Sequence, residues 1–275
     1  MKTQIPTSIQ DLKTAITEEK LSGKNICIHS SIKSFGGLEN GPQGIIEAFL
    51  KEDCTIIVPT FTDKYEVNPE KNMMPMQNGW DYSYKIESCC DEIYSIDSVE
   101  IEIKDMGILP TTIVNANGRI RGNHPLNSFS AIGKNAEKMI KGQKPLNVYY
   151  PLEKLVDENG YVILMGVDYN TLTLLHLAEQ KAGRNLFRRW AKDEQGKTMM
   201  AEVGSCSDGF TNFSKYFNDK EIAKERMVGK SLWKIINAKE LLAFATTLIK
   251  ENPNITMCDK KCLRCLDAVK GGPIM

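Results

Sequence analysis

The sequence predicts an α/β fold, with helices layered on a largely parallel sheet. Three observations carry this. Residues 25–28 and 54–58 are short apolar runs of strand length, each with helically spaced residues before it. A third apolar run, residues 161–165, leads straight into an apolar helical stretch at 171–182. Helix alternates with strand, the pattern of a parallel sheet built from crossovers.

Taken in order, residues 7–21 place Ile9, Leu12, Ala15 and Ile16 at helical spacing. Asn25-Ile26-Cys27-Ile28 is the first strand. Residues 42–51, with Ile45, Ile46, Ala48, Phe49 and Leu50, form the second helix, and Cys54-Thr55-Ile56-Ile57-Val58 the second strand, stopped by Pro59. Residues 63–105 lose all period and are rich in Asn, Pro, Met, Tyr and Asp. A stretch of that length reads as an insertion that covers something, with a pocket border as its expected place. Pattern returns with a helix at 134–141, the third strand and its helix. A hairpin over 187–192 and 197–203 and a C-terminal helix at 238–250, ended by Pro253, complete the chain. No repeat or linker divides it, so one domain spanning 1–275 is expected.

Composition sets bounds. The 275 residues carry 35 basic and 35 acidic side chains, a balance that leaves no footprint for nucleic acid or an anionic membrane. No apolar run reaches membrane-spanning length, and the N-terminus lacks a signal-peptide stretch, so the expected compartment is the cytoplasm. Eight cysteines then read as free thiols, with Cys27 and Cys54 as small core residues.

Ligands of open α/β sheets bind beyond the carboxyl ends of the strands. The three exits are His29-Ser30-Ser31-Ile32-Lys33-Ser34-Phe35-Gly36-Gly37, Pro59-Thr60-Phe61-Thr62 and Gly166-Val167-Asp168-Tyr169-Asn170-Thr171. All are rich in hydroxyls, amides and glycine. Those groups suit turns, and together at one edge they also suit phosphate and amide recognition. The chain has three histidines, His29, His124 and His176. His176 and Glu179 are three apart on one helix, so they share a face, and Leu174, Leu175, Leu177 and Ala178 around them are apolar. A carboxylate beside an imidazole raises its basicity and fixes its tautomer, as a general base requires.

Other chemistries find no support. No GxxxxGK[ST], GxGxxG or GxSxG is present, and the histidines fit no HExxH spacing. Near the chain's end Cys258, Cys262 and Cys265 make a CxxxCxxC, the spacing of the iron–sulfur loop of radical-SAM enzymes. Its place in the tail, with Arg264 before the last cysteine, argues instead for ordinary or structural-zinc cysteines.

Several segments, in this order, resemble the aminoglycoside 3-N-acetyltransferase family over about residues 7–266. They are His29-Ser30-Ser31 with Phe35-Gly36, Val58-Pro59-Thr60-Phe61 and Gly107-Ile108-Leu109-Pro110. Then come Arg119-Ile120-Arg121-Gly122-Asn123-His124-Pro125 with Ser128 and Ala131-Ile132-Gly133, residues 170–179, and Cys206-Ser207-Asp208-Gly209-Phe210. The resemblance implies an α/β/α sandwich and transfer of an acetyl group from acetyl-CoA to a small-molecule amine, without metal. It places CoA along Ser30, Ser31, Phe35, Thr60, His124 and Ser128, with Ser34 and Arg121 beside them. His176 is implied as the base, and Glu179, Asp168 and Asn170 border the acceptor. The chain departs from the family at Gly122, Asn170 and Thr211, where many members carry Ser, Asp and an acidic residue. Acidic groups attract polycationic aminoglycosides, so Asp63, Glu66, Asp81 and Asp168 are the candidates to replace them. A CoA-binding module without catalysis, or transfer to a different amine, are the alternative readings. The presence of both His176 and Glu179 favours catalysis.

Overall fold

A computed structural model describes residues 5–86 and 92–274. Residues 87–91 of the expected insertion lie outside the described residues. Seven strands form one sheet: β1 (Asn25–Ser30), β2 (Thr55–Pro59), β3 (Ile120–Arg121), β4 (Phe129–Ile132), β5 (Tyr161–Met165), β8 (Ala223–Val228) and β9 (Ser231–Asn237), in the order β3-β4-β2-β1-β5-β9-β8. Two further strands, β6 (Phe187–Lys192) and β7 (Thr198–Val203), pair as the expected hairpin.

The three strands anticipated from their apolar runs are the parallel centre. Ile26 pairs with Ile56 on one side, and Cys27 with Val162 on the other. The flanking strands run antiparallel to this centre, β4 against β2 and β9 against β5. Pro59 closes β2 from within the strand, opposite Phe129. The outer strands escape the apolar-run criterion because they are short or polar. Edge strand β8 carries Lys224, Glu225 and Arg226, and Lys224 and Arg226 both bond Glu19. Charged residues on an exposed edge also discourage pairing with another chain.

Strand alternation divides the core in two. Ile26, Ile28, Ile56, Val58, Ile163 and Met165 point to one face, under α1 (Ile9–Glu18), α2 (Pro42–Lys51) and α4 (Ile108–Val114). Cys27, Ile57, Val162 and Leu164 point to the other, under α5 (Ala136–Ile140), α6 (Tyr150–Asp157), α7 (Leu174–Lys181) and α9 (Ala238–Glu251). Period-two burial with helices on both faces makes this the α/β/α sandwich. A short α3 (Ile103–Met106), α8 (Ser214–Asp219) and α10 (Leu263–Val269) are the other α-helices among the described residues.

Helix starts follow local chemistry. Ser8 and Asp11 form a reciprocal capping box at α1, and the Asn237 side chain accepts from Lys239 N–H and Glu240 N–H at α9. Beyond β5 the chain turns at Gly166, which has φ 63°; a Cβ there would lie 2.2 Å from Ser34 Oγ. Glycine therefore serves both the left-handed backbone and the packing of Ser34 beneath it. No helix among the described residues is long and apolar enough to cross a membrane.

Candidate active site

A cleft of about 1320 Å³ opens at the carboxyl edge of the parallel strands. Ser30 and Ser31 line it after β1, Phe61 after β2, and Val167, Asn170 and Thr171 after β5. All three exits therefore meet at one place, where a doubly wound sheet binds its ligand. The irregular segment supplies the facing wall, through Asp63, Glu66, Trp80, Asp81, Tyr84 and Asp105.

His176 lies on α7 at the edge of this cleft, stacked on Tyr149 with ring centroids 6.1 Å apart and packed on Phe210 at 4.7 Å. Glu179, one helical turn on, accepts from His176 Nδ1 at 3.0 Å and from the Ser205 hydroxyl at 2.6 Å. Its second oxygen accepts from Arg184 at 2.6 Å. Burial opposes the Glu179 charge, but the hydrogen bond and charge of His176, the charge of Arg184 and the Ser205 hydroxyl outweigh it and hold the carboxyl below its ordinary value. An ionised Glu179 fixes the proton on Nδ1, so Nε2 is the nitrogen with a free lone pair. It makes no hydrogen bond to any described residue. A ring oriented by a buried carboxylate, with its other nitrogen unengaged, is equipped to take a proton.

The cleft lining carries two kinds of polar group. At the β1 exit, Ser30, Ser31 and Lys33 face Lys104, Gly107 and Ile108. Ser30 Oγ is buried there without a hydrogen-bond partner among the described residues, a donor left available. The other kind is acidic, Asp63, Glu66, Asp81 and Asp105, with Arg189 and Arg264 also in the lining. Burial lifts Asp63, with Glu102 and Asp105 adding repulsion, and burial lifts Glu66 to about 7 despite the opposing charge of Arg189. Arg189 lies 3.7 Å from Glu66 and over the Trp80 ring at 4.4 Å.

Comparison with known proteins settles the lineage. The aminoglycoside 3-N-acetyltransferase family model matches residues 27–250. The chain belongs to this family. It is accordingly an acyltransferase. Aminoglycoside N(3)-acetyltransferase IV of Salmonella sp is 26% identical over 244 residues, covering 85% of this chain and 83% of that one. The aminoglycoside N(3')-acetyltransferase-like protein YokD of Bacillus subtilis is 25% identical over 234 residues, covering 75% and 84%. In fold, the crystal structure of aminoglycoside acetyltransferase AAC(3)-IVa superposes with a TM-score of 0.78 at 24% identity, over 98% of this chain and 99% of that one. The structure of AAC-IIIb with CoASH superposes with a TM-score of 0.72 at 22% identity, over 89% and 96%.

Within this acetyltransferase the residues singled out in the sequence separate into two groups. Ser30, Ser31, Asn170 and His176 line the cleft, and Glu179 stands directly behind His176. Ser34, Phe35, Thr60, Arg121, His124 and Ser128, which the resemblance sets along CoA, are not among the residues that line the cleft. Phe35 is in the core, and Ser34 bonds Ser31 O and Ser231 Oγ. Thr60 and Ser128 bond each other, and the Arg121 guanidinium bonds Ser128 Oγ and the carbonyls of Thr60, Ser98 and Glu100. His124 donates from Nε2 to Glu202 O at 2.9 Å and accepts at Nδ1 from Leu126 and Asn127 N–H. Burial pushes it down to about 4, so it is a neutral brace for the Asn127 wall. These residues stand outside the cleft lining. Asp168 is likewise outside it, bonded to Lys234 and to Tyr169 N–H, whereas Asp63, Glu66 and Asp81 line it. Gly122 also has a local cause: a Cβ would lie 1.9 Å from Gln143 Oε1, the oxygen that accepts from Phe129 N–H.

Sequence reasoning missed Tyr149, Arg184, Ser205 and Arg264. The tertiary structure brings Tyr149 and Ser205 to His176, Arg184 to Glu179, and Arg264 to the carbonyls of Gly204 and Ser205. Gly204 stands beside them. A Cβ on it would lie 2.6 Å from Tyr149 Oη and 2.8 Å from the His176 ring. The variant Gly204→Ala is expected to displace the imidazole and lower kcat by roughly 10- to 100-fold, as small misplacements of catalytic groups do. Steady-state kinetics on the variant check this, and an unchanged kcat would show that the ring position is not limiting.

Proposed function

We propose that this acetyltransferase moves the acetyl group of acetyl-CoA to the 3-amino group of an aminoglycoside, with His176 as general base. The observation that carries the reading is the His176–Glu179 pair, buried side by side with Nε2 unengaged among the described residues, at the edge of a cleft lined by hydroxyls, lysines and carboxylates. Relatives named as aminoglycoside N(3)-acetyltransferases, a neighbour with CoASH and one in complex with gentamicin support both substrates.

The chemistry follows from the groups present. An aliphatic amine is protonated near neutral pH and attacks only as the free base. His176 Nε2 takes the amine proton as nitrogen attacks the thioester carbonyl, and ionised Glu179 stabilises the resulting imidazolium. The carbonyl oxygen gathers negative charge, and the Ser30 hydroxyl, unpartnered in the same cleft, would supply a donor to it. Collapse breaks the C–S bond and releases CoA thiolate. Ser31, Lys33 and Lys104 suit the CoA phosphates. Asp63, Glu66, Asp81 and Asp105 suit the several ammonium groups of the acceptor, filling the place of the acidic residues absent at Asn170 and Thr211. Thiol release from acetyl-CoA with a panel of amines tests the reading. Turnover with aminoglycosides and not with simple monoamines is expected; tight CoA binding with no turnover on any amine would make the protein a binding module.

Glu66 gives a pH signature. Its carboxyl is neutral below about 7 and charged above. Aminoglycoside binding should therefore tighten, relative to Glu66→Gln, as pH rises through that value. Calorimetric titrations of both proteins across the range read this difference, and parallel curves would remove Glu66 from the acceptor site.

A further inference from the structure

Four thiols from two distant segments meet outside the cleft. Cys206 follows β7, Cys258 follows α9, and Cys262 and Cys265 stand at the start of α10. Their Sγ atoms all lie within 4.8 Å of one another. Cys206 and Cys258 are 3.7 Å apart, and Cys258 and Cys265 3.5 Å. A zinc ion with Zn–S bonds of about 2.3 Å sets tetrahedral sulfurs roughly 3.8 Å apart. The observed spread fits one ion held by four thiolates. A disulfide would bring two of the sulfurs to about 2.05 Å. An iron–sulfur cluster would spread them wider, because metal and sulfide atoms would stand between them.

We infer that Cys206, Cys258, Cys262 and Cys265 hold a structural zinc ion. The donor set points to this metal, because four thiolates in tetrahedral array favour a soft ion and leave no coordination position for substrate. The surroundings are suited to it as well. Cys258 N–H points at Cys265 Sγ at 3.4 Å, the kind of backbone donor that steadies a metal-bound thiolate. Lys260 and Lys261 lie within the same loop and offset the roughly two net negative charges of a tetrathiolate zinc centre. None of the four cysteines lines the cleft.

The ion would join the tail to the loop that shapes the active site. Cys206 directly follows Gly204 and Ser205. Ser205 bonds Glu179, and Arg264, between two of the ligands, donates to the carbonyls of Gly204 and Ser205. Zinc at this point would hold that loop against His176 without taking part in acetyl transfer, so metal content and chemistry can be read separately.

The test is metal analysis of the full chain purified under reducing conditions from zinc-containing medium. Roughly one zinc per chain is expected, with loss of that zinc in Cys262→Ser, the variant at a half-exposed ligand. Because a ligand variant can fold poorly, wild-type protein is also stripped and titrated with Co²⁺. The intense visible bands of tetrahedral cobalt thiolate are expected, together with a higher thermal midpoint. Metal-free wild-type protein that gives no thiolate–cobalt bands, stoichiometric iron in place of zinc, or a Cys206–Cys258 disulfide found by mass spectrometry would each overturn the inference.

Discussion

Replacing His176 by alanine is expected to lower kcat by ~10²–10⁴-fold, the usual contribution of a positioned general base, while CoA affinity stays near the wild-type value. The geometry separates these two readouts. The His176 ring stands between Tyr149 and Phe210 and is held by Glu179, whereas Ser31, Lys33 and Lys104, the groups suited to the CoA phosphates, line the cleft from other segments of the chain. Alanine also opens a void between two aromatic rings, so His176→Gln is the necessary companion. It keeps much of the volume and cannot act as a base near neutral pH. Both variants should show the same loss of kcat by thiol release. If only alanine lost activity, packing and not proton transfer would explain His176.

The largest effect on stability is expected from Arg184→Met. Arg184 is buried, bonding Glu179 at 2.6 Å, Thr256 Oγ1 at 2.8 Å and Pro253 O at 2.6 Å. Removing one partner of a buried ion pair leaves the other charged in a poor solvent, at a typical cost of ~3–5 kcal/mol. For a chain of this size that is a fall in melting temperature of roughly 10 °C. The pH dependence has a definite sign. In the wild type the folded Glu179 carboxyl lies below its unfolded value, so its contribution is present above the unfolded pKa and is lost as pH falls through the folded one. Without Arg184 the folded carboxyl shifts upward, so the destabilisation should be small in acid and grow as pH rises towards neutrality. The double variant Arg184→Met/Glu179→Gln, with neither buried charge, should recover part of the loss. A Tm deficit that is flat with pH and unrelieved in the double variant would assign it to packing.

The sequence revealed what depends on short-range pattern. β1, β2 and β5 are continuous apolar runs because both faces of the central sheet are covered, and α7 is recognisable for the same reason. β8 and β9 were hidden because an edge strand bears charges outward and its neighbour carries Lys234 over the Tyr169 ring. Within the site, His176 and Glu179 were legible because both lie on one turn of one helix. Ser205, Arg184 and Arg264 were not, since no periodicity links residues 26 or more apart, or one just beyond a helix end. Thr60, Arg121, His124 and Ser128 show the converse. The family resemblance set them along CoA, and in the fold their hydrogen bonds run to one another and to backbone. No sequence pattern shows those hydrogen bonds, because most of them join segments far apart in the chain. The tail cysteines needed the fold too, because Cys206 is 52 residues from Cys258.

The most direct test of the central claim is to incubate the full chain with acetyl-CoA and gentamicin and locate the acetyl group in the product by NMR. A singly acetylated product modified at the 3-amino group is expected, formed by the wild type and only in trace by His176→Gln. Acetylation elsewhere on the ring system, an acetylated product formed equally well by the variant, or no acetylated product would contradict it.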